Sequence, residues 1–194
     1  MHRRTGYLEV IAGPMYSGKT EELIRQIKRA VIGKKKVQVF KPELDKRYGT
    51  EKKLFSHAGV SIESDTIKSA KDILARLEPK TQIVIIDEAQ WLGETLVPVV
   101  QTLLARHMTV IVSGLGMTFD RQPFIPMPTL MALADKVTKL SAVCSICGAD
   151  AVFHKRLTKD NTGGVNALVA DPRFVTKFED TVFEARCRRC FIKP

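Results

Sequence analysis

Long apolar runs are missing from this chain. Stretches such as Ile83–Ile86 and Leu96–Val100 are far too short to cross a bilayer. The opening MHRRTGYLEV carries two arginines but no apolar h-region, so no signal peptide is expected and the expected location is cytoplasmic. Cysteine is scarce. There are four in 194 residues, all of them in two CxxC pairs, CSIC at 144–147 and CRRC at 187–190. Nothing here looks secreted, which argues against a disulfide scaffold. Acids are outnumbered, with 21 Asp and Glu against 31 Lys and Arg, a net charge of +10. That balance favours anionic partners such as nucleotides, nucleic acid or acidic membrane. The densest patches, Lys34-Lys35-Lys36, Lys52-Lys53 and Arg186–Arg189, are dispersed along the chain, and each reads first as a solvated face. Charge alone does not separate a nucleotide enzyme from a nucleic-acid binder. Internal repeats and low-complexity tracts are also lacking.

What remains is an ordinary globular composition, 44% hydrophobic and 27% charged. The length suits one domain with a small appendage and allows a proper core. YLEVIAG reads as a strand, and KTEELIRQIKRAVIG as a helix with Leu23, Ile24, Ile27, Ala30 and Val31 on one face and Gly33 as its stop. KVQVFKPE is a second strand, and DKRYGTEKKLFSHAGVSIES a loop or irregular hairpin. SAKDILARLEP predicts a helix ending at Pro79. QIVIIDEAQ predicts a buried parallel strand. GETLVPVVQTLLARH predicts a helix with Pro98 in its tolerant first turn. MTVIVSGLG is another strand, MPTLMALAD a short helix, and KVTKLSAV a final strand running into Cys144. Strand and helix alternate through Tyr7–Val143, the signature of an α/β fold with a parallel sheet covered on both faces. Past Cys144 the pattern breaks into short strands and turns. Two domains follow: residues 1–140 and residues 141–194.

GPMYSGKT, residues Gly13–Thr20, fits the phosphate-loop pattern and lies between an apolar strand and an amphipathic helix, as that pattern requires. Its glycines let backbone N–H groups turn toward phosphate oxygens, and the following helix adds the positive end of its dipole. Gly13, Pro14, Met15, Tyr16, Ser17 and Gly18 form the cradle. Lys19 is expected to reach the β- and γ-phosphates, and Thr20 to offer its hydroxyl to Mg²⁺. Asp87 and Glu88 end a buried strand at the sheet edge where ligands bind. Asp87 is expected to help hold Mg²⁺, and Glu88 to accept a proton from the attacking hydroxyl or water. Gln90, in the same segment, is grouped with the nucleotide-binding residues. The paired CxxC motifs can supply four thiolates to one Zn²⁺, leaving no open position, so a structural metal is expected at Cys144, Cys147, Cys187 and Cys190. The gap from Cys147 to Cys187 exceeds the common ribbon spacing of about 15–20 residues, but loop-closure entropy grows only logarithmically.

GPMYSGKT, KPELDKRYG, IIDEAQWL, GLGMTFDRQPF and LSAVCSICGADAVFHKRL, followed by a closing CRRC, stand in the order found in thymidine kinases of the zinc-containing type, which this chain resembles over roughly residues 7–191. The resemblance implies a RecA-like phosphate-loop domain and a small zinc-ribbon-like domain with a lasso loop over the nucleoside. It implies ATP- and Mg²⁺-dependent transfer to the 5′-hydroxyl of thymidine, by a homotetramer restrained by dTTP. It makes Glu88 the catalytic base and leaves Arg47 available to stabilise charge on the transferring group. Met15, Asp45, Arg47, Trp91, Leu115, Phe119 and Phe124 fall where the family lines its active site, with Trp91 in a position usually held by Phe. His154 stands where the family usually has Thr, and Phe183 where it has Tyr. The Ile-Gly-Gly stretch before the last cysteine pair is absent, with Gly163-Gly164 as a shifted counterpart. His154 has two readings, a hydrogen bond to the base or a satisfied structural histidine. His57 matches a family position without assigned chemistry, and Gly116 replaces an Asp or Arg.

The rival readings are a kinase for another pyrimidine nucleoside, a nucleic-acid-stimulated ATPase, and a zinc-ribbon module with a regulatory nucleotide site. DEAQ echoes helicase boxes, but 194 residues hold only one RecA-like unit. Neither a membrane nor a stable nucleic-acid partner is expected.

Overall fold

Along Tyr7–Ala12 (β1), Leu8, Val10 and Ala12 point into one buried layer and Ile11 into another. A strand buried on both faces belongs inside a parallel sheet. The computed structural model describes residues 5–43, 53–55, 61–157, 176–178 and 181–192. The remaining strands are Val37–Pro42 (β2), Lys53–Phe55 (β3), Ser61–Glu63 (β4), Asp65–Ile67 (β5), Ile83–Ile86 (β6), Thr109–Gly114 (β7), Lys136–Lys139 (β8), Ala142–Val143 (β9), Asp150–Ala151 (β10), Phe153–Leu157 (β11), Thr176–Phe178 (β12) and Thr181–Arg186 (β13). The helices are Lys19–Ile32 (α1), Lys71–Ala75 (α2), Leu96–Ala105 (α3) and Met127–Leu133 (α4), with a 3-10 turn at Ala89–Leu92.

Six strands form one sheet in the order β5-β2-β6-β7-β1-β8, and every pairing within it is parallel. On one face Leu8, Val10, Phe40, Val84, Ile86, Val110 and Val112 meet Ile73 of α2, Leu96, Val100 and Leu103 of α3, and Met127 and Leu130 of α4. On the other, Ile11, Val39, Ile85 and Ile111 meet Leu23, Ile24 and Ile27 of α1. The α1 residues recur at helical spacing, which turns one stripe onto the sheet. Glu21 and Glu22 in the first turn and Arg29 in the last suit the helix dipole. The Gly33 N–H closes the helix on the Arg29 carbonyl at 3.0 Å. Among the described residues no helix is long and apolar enough to cross a membrane.

Three local expectations change. The helix expected to run to Pro79 stops at Ala75. The Glu78 N–H donates to Gln38 Oε1 of β2 at 2.8 Å, and Gln38 Nε2 donates to the Arg76 carbonyl at 3.1 Å. A side chain from the neighbouring strand thus takes backbone groups a longer helix would have used. The segment expected as a loop or irregular hairpin does pair β3 antiparallel with β4, but the stretch after it adds an edge strand, β5, beside β2. The strand expected from Lys136 to Val143 is two strands. Leu140 N–H still bonds the Ala12 carbonyl at 2.8 Å, but β1 then becomes the glycine loop and offers no further ladder. The chain leaves the sheet, and β9 pairs antiparallel with β10. Beyond it β11, β13 and β12 form a separate antiparallel sheet.

Candidate active site

Gly13 to Gly18 connect β1 to α1 at the C-terminal edge of the parallel sheet. Gly13 packs too closely to carry a side chain. A Cβ there would lie 2.4 Å from Ser17 Oγ and 2.9 Å from the Leu140 carbonyl oxygen. Gly18 caps the helix in the left-handed region, at φ 79°, where glycine has no steric penalty. Lys19 is buried and its ammonium donates to the Pro14 carbonyl at 2.7 Å, spanning the loop it belongs to. The Ser17 hydroxyl donates to the same carbonyl at 2.9 Å.

Asp87 and Glu88 follow β6, and Asp87 faces this loop. The Thr20 hydroxyl donates to Asp87 Oδ2 at 3.4 Å. Burial raises the Asp87 pKa to about 7, with help from the neighbouring Glu88 charge. The buried Ser113 hydroxyl draws it the other way, short of a well-formed hydrogen bond. A hydroxyl and a carboxylate this close are hard oxygen donors of the kind that bind Mg²⁺. Glu88 is half-buried and sits at φ 52°, ψ 40°, a left-handed conformation. Such strain in a non-glycine residue is held by its surroundings and gathers at functional sites. Gln90 is engaged at both ends of its amide. Its Nε2 donates to Glu88 Oε2 at 2.5 Å, and its Oε1 accepts from the Leu115 N–H at 3.0 Å. In this geometry Gln90 orients Glu88 and ties it to the end of β7.

Among the described residues, the aromatic side chains expected at the nucleoside fall into two groups. Trp91 meets Phe124 edge-on at 5.6 Å. Phe183 contacts His154 at 5.9 Å and Phe119 at 6.4 Å. His154 is buried, and its pKa falls to about 4 because burial disfavours the imidazolium and the Lys19 charge adds to that. The ring is therefore neutral at physiological pH. It helps wall a cavity of about 340 Å³ together with Gly13, Pro14, Met117, Phe153 and Arg188. Met15 lies half-buried in the loop turn and Leu115 is buried after β7. Asp45, Arg47, His57, Gly163 and Gly164 lie outside the described residues.

The two cysteine pairs converge. Their four Sγ atoms all lie within 4.8 Å of one another, and Cys147 and Cys187 are 3.6 Å apart. Tetrahedral zinc with Zn–S near 2.3 Å needs sulfurs about 3.8 Å apart, so the cluster fits a Cys₄ zinc site. The Ala149 backbone N–H and the neighbouring thiols draw the Cys147 thiol down to about 6. The Cys190 N–H donates to Cys187 Sγ at 3.4 Å. Behind the cluster, the Glu184 carboxylate accepts from Arg186 Nε at 2.8 Å and from the Ser145 hydroxyl at 2.9 Å. Arg186 also reaches the Cys190 carbonyl at 3.1 Å. This buried ion pair clamps the two knuckles together.

Sequence reasoning missed several participants. Arg156 lies over the Phe119 ring at 5.2 Å, Ser113 faces Asp87, and Glu184, Arg186 and Ser145 brace the cysteines. Ser113 had a faint signal, a polar residue ending an apolar strand. Arg186 belongs to a basic patch that reads first as a solvated face, yet it is buried in an ion pair with Glu184. Arg156 and Ser145 had no signal, because their partners Phe119 and Glu184 are distant in the chain. A family model described as Thymidine kinase matches residues 6–191.

Proposed function

The chain belongs to the thymidine kinase family, and from that premise we propose that it transfers the γ-phosphoryl group of ATP to the 5′-hydroxyl of thymidine, giving dTMP and ADP. One observation carries the reading beyond the family. Thr20 at the start of α1 reaches Asp87 at the end of β6, 3.4 Å apart, and the Lys19 charge acts on the same carboxylate, with Glu88 next in the chain. The loop N–H groups and Lys19 bind the ATP phosphates. Thr20 and Asp87 would hold Mg²⁺, which would neutralise phosphate charge when bound. Glu88 takes the proton as the 5′-hydroxyl attacks in line, and Gln90 keeps the carboxylate aimed. Arg47 is assigned to the charge on the transferring group. Phe119, Phe124, Trp91, Met15, Leu115, Asp45, Phe183 and His154 are assigned to the nucleoside, the rings giving its base flat apolar walls. Positioning and electrostatics supply most of the rate in this class of reaction. Cys144, Cys147, Cys187 and Cys190 would hold a structural Zn²⁺. A cytoplasmic homotetramer restrained by dTTP completes the reading. Sedimentation as a monomer, or activity indifferent to dTTP, would remove those two parts.

The nucleoside specificity has a second reading. His154 is buried against Phe183, and a neutral imidazole there can hydrogen-bond a different pyrimidine. The deciding experiment incubates purified protein with Mg-ATP and each of thymidine, deoxyuridine, deoxycytidine and deoxyguanosine. Thymidine monophosphate as the main product, with deoxyuridine weaker, is the expected result. Deoxycytidine as the preferred acceptor would move the assignment to the second reading. No phosphorylated nucleoside, with ATP consumed only when DNA is added, would overturn both.

A further inference from the structure

Tyr16 joins the phosphate loop to the cysteine domain. Its hydroxyl donates to the Phe183 carbonyl of β13 at 3.1 Å, across 167 positions of sequence. Its ring packs on the small core formed by Ala142, Cys144, Ala151, Ala185, Cys187 and Cys190. Its backbone lies at φ 66°, in the left-handed region. A bulky residue is uncommon there and stays only where its surroundings over-determine it. The conformation of Gly13–Gly18 therefore depends in part on a contact outside the loop. Phe183 itself lies against His154 and Phe119, so the tether ends on a wall of the active site.

We propose that Tyr16 is a positioning residue that links nucleotide binding at Gly13–Thr20 to metal retention at Cys144, Cys147, Cys187 and Cys190, each strengthening the other. The inference rests on reading those two sites as nucleotide and zinc sites. A metal held by both knuckles fixes Cys144 after β9 and Cys187 after β13. That fixes the surface under the Tyr16 ring and the carbonyl that its hydroxyl reaches. With both fixed, the phosphate-binding shape of the loop gains population. Thermodynamic linkage then requires nucleotide to tighten the metal by the same factor. The tether is one neutral hydrogen bond plus part of a ring contact. The hydroxyl's share is therefore modest, a factor of about 2 to 10.

The test uses the full chain loaded with zinc. Metal content and Mg-ADP binding by calorimetry come first. Zinc affinity is then measured by equilibrium competition with a chromogenic chelator, with and without saturating Mg-ADP. The expected result is zinc affinity raised about 3- to 10-fold by the nucleotide, and Mg-ADP affinity lowered by the same factor in zinc-stripped protein. Tyr16→Phe keeps the ring and should shrink the factor, and Tyr16→Ala should bring it to one. If Tyr16→Ala does not fold, Tyr16→Phe decides, and a factor equal to that of the unaltered protein overturns the tether. Zinc affinity indifferent to bound Mg-ADP overturns the coupling alone. Failure of either ligand to bind overturns the nucleotide-and-zinc reading and the coupling with it.

Discussion

Glu88 shows how much one residue's surroundings contribute. Its left-handed backbone turns the chain out of β6 into the 3-10 turn, and Gln90 grips its carboxylate from two positions along. Glu88→Gln keeps size and shape but cannot take the proton. Turnover should fall about 10²- to 10⁴-fold, while calorimetry still finds ATP bound. Near-normal turnover would remove Glu88 from the role. His154 carries a different signature. Its pKa drops from 6.5 unfolded to about 4 in the fold, mainly through burial. Between those values the unfolded chain binds more protons than the native one. The contribution of His154 to stability is therefore intact above pH 6.5 and is lost as pH falls toward 4. The loss from this residue between pH 7 and 4.5 is about 2 kcal/mol. Urea titrations at both pH values should show His154→Gln losing less stability than the parent by that amount. Parallel losses in the two proteins would mean that the imidazole is not held neutral by the fold.

The phosphate loop was legible as an element because its requirements are local: glycines at fixed places, an apolar strand before, an amphipathic helix after. Gly13→Ala tests the closeness of that packing, since the new Cβ would approach Ser17 Oγ to 2.4 Å and the Leu140 carbonyl to 2.9 Å. The loop must open to admit it. We expect a stability loss of about 1–3 kcal/mol in thermal or urea unfolding, and nucleotide affinity lowered at least tenfold by calorimetry. Unchanged ATP affinity would show that the loop tolerates the shift. Other elements were less legible because their limits are set by neighbours. The shortness of α2 comes from Gln38 on β2, and the division of β8 from β9 from the end of β1 as a ladder partner. A periodic pattern registers which face is apolar. It does not register a competing side chain from another strand.

At the scale of the whole molecule, the parallel sheet brings strand ends that are far apart in sequence to one edge. Ala12, Ile86 and Gly114 end the neighbouring strands β1, β6 and β7 there. The loop, the acids and the Gln90–Leu115 link are adjacent for that reason. The sequence by itself determined the α/β class, the phosphate loop, the acid pair and the two CxxC pairs, because each is encoded in residue type and short spacing. Periodicity of burial and the geometry of a glycine turn do not need distant partners. Only the tertiary structure decided the bracing of Glu88 by Gln90, the burial that keeps His154 neutral, the Glu184–Arg186 clamp behind the cysteines, and the Tyr16 tether to Phe183. Each of these is a hydrogen bond, an ion pair or a desolvation whose strength depends on distance and local dielectric. Those quantities do not exist until the chain has closed on itself.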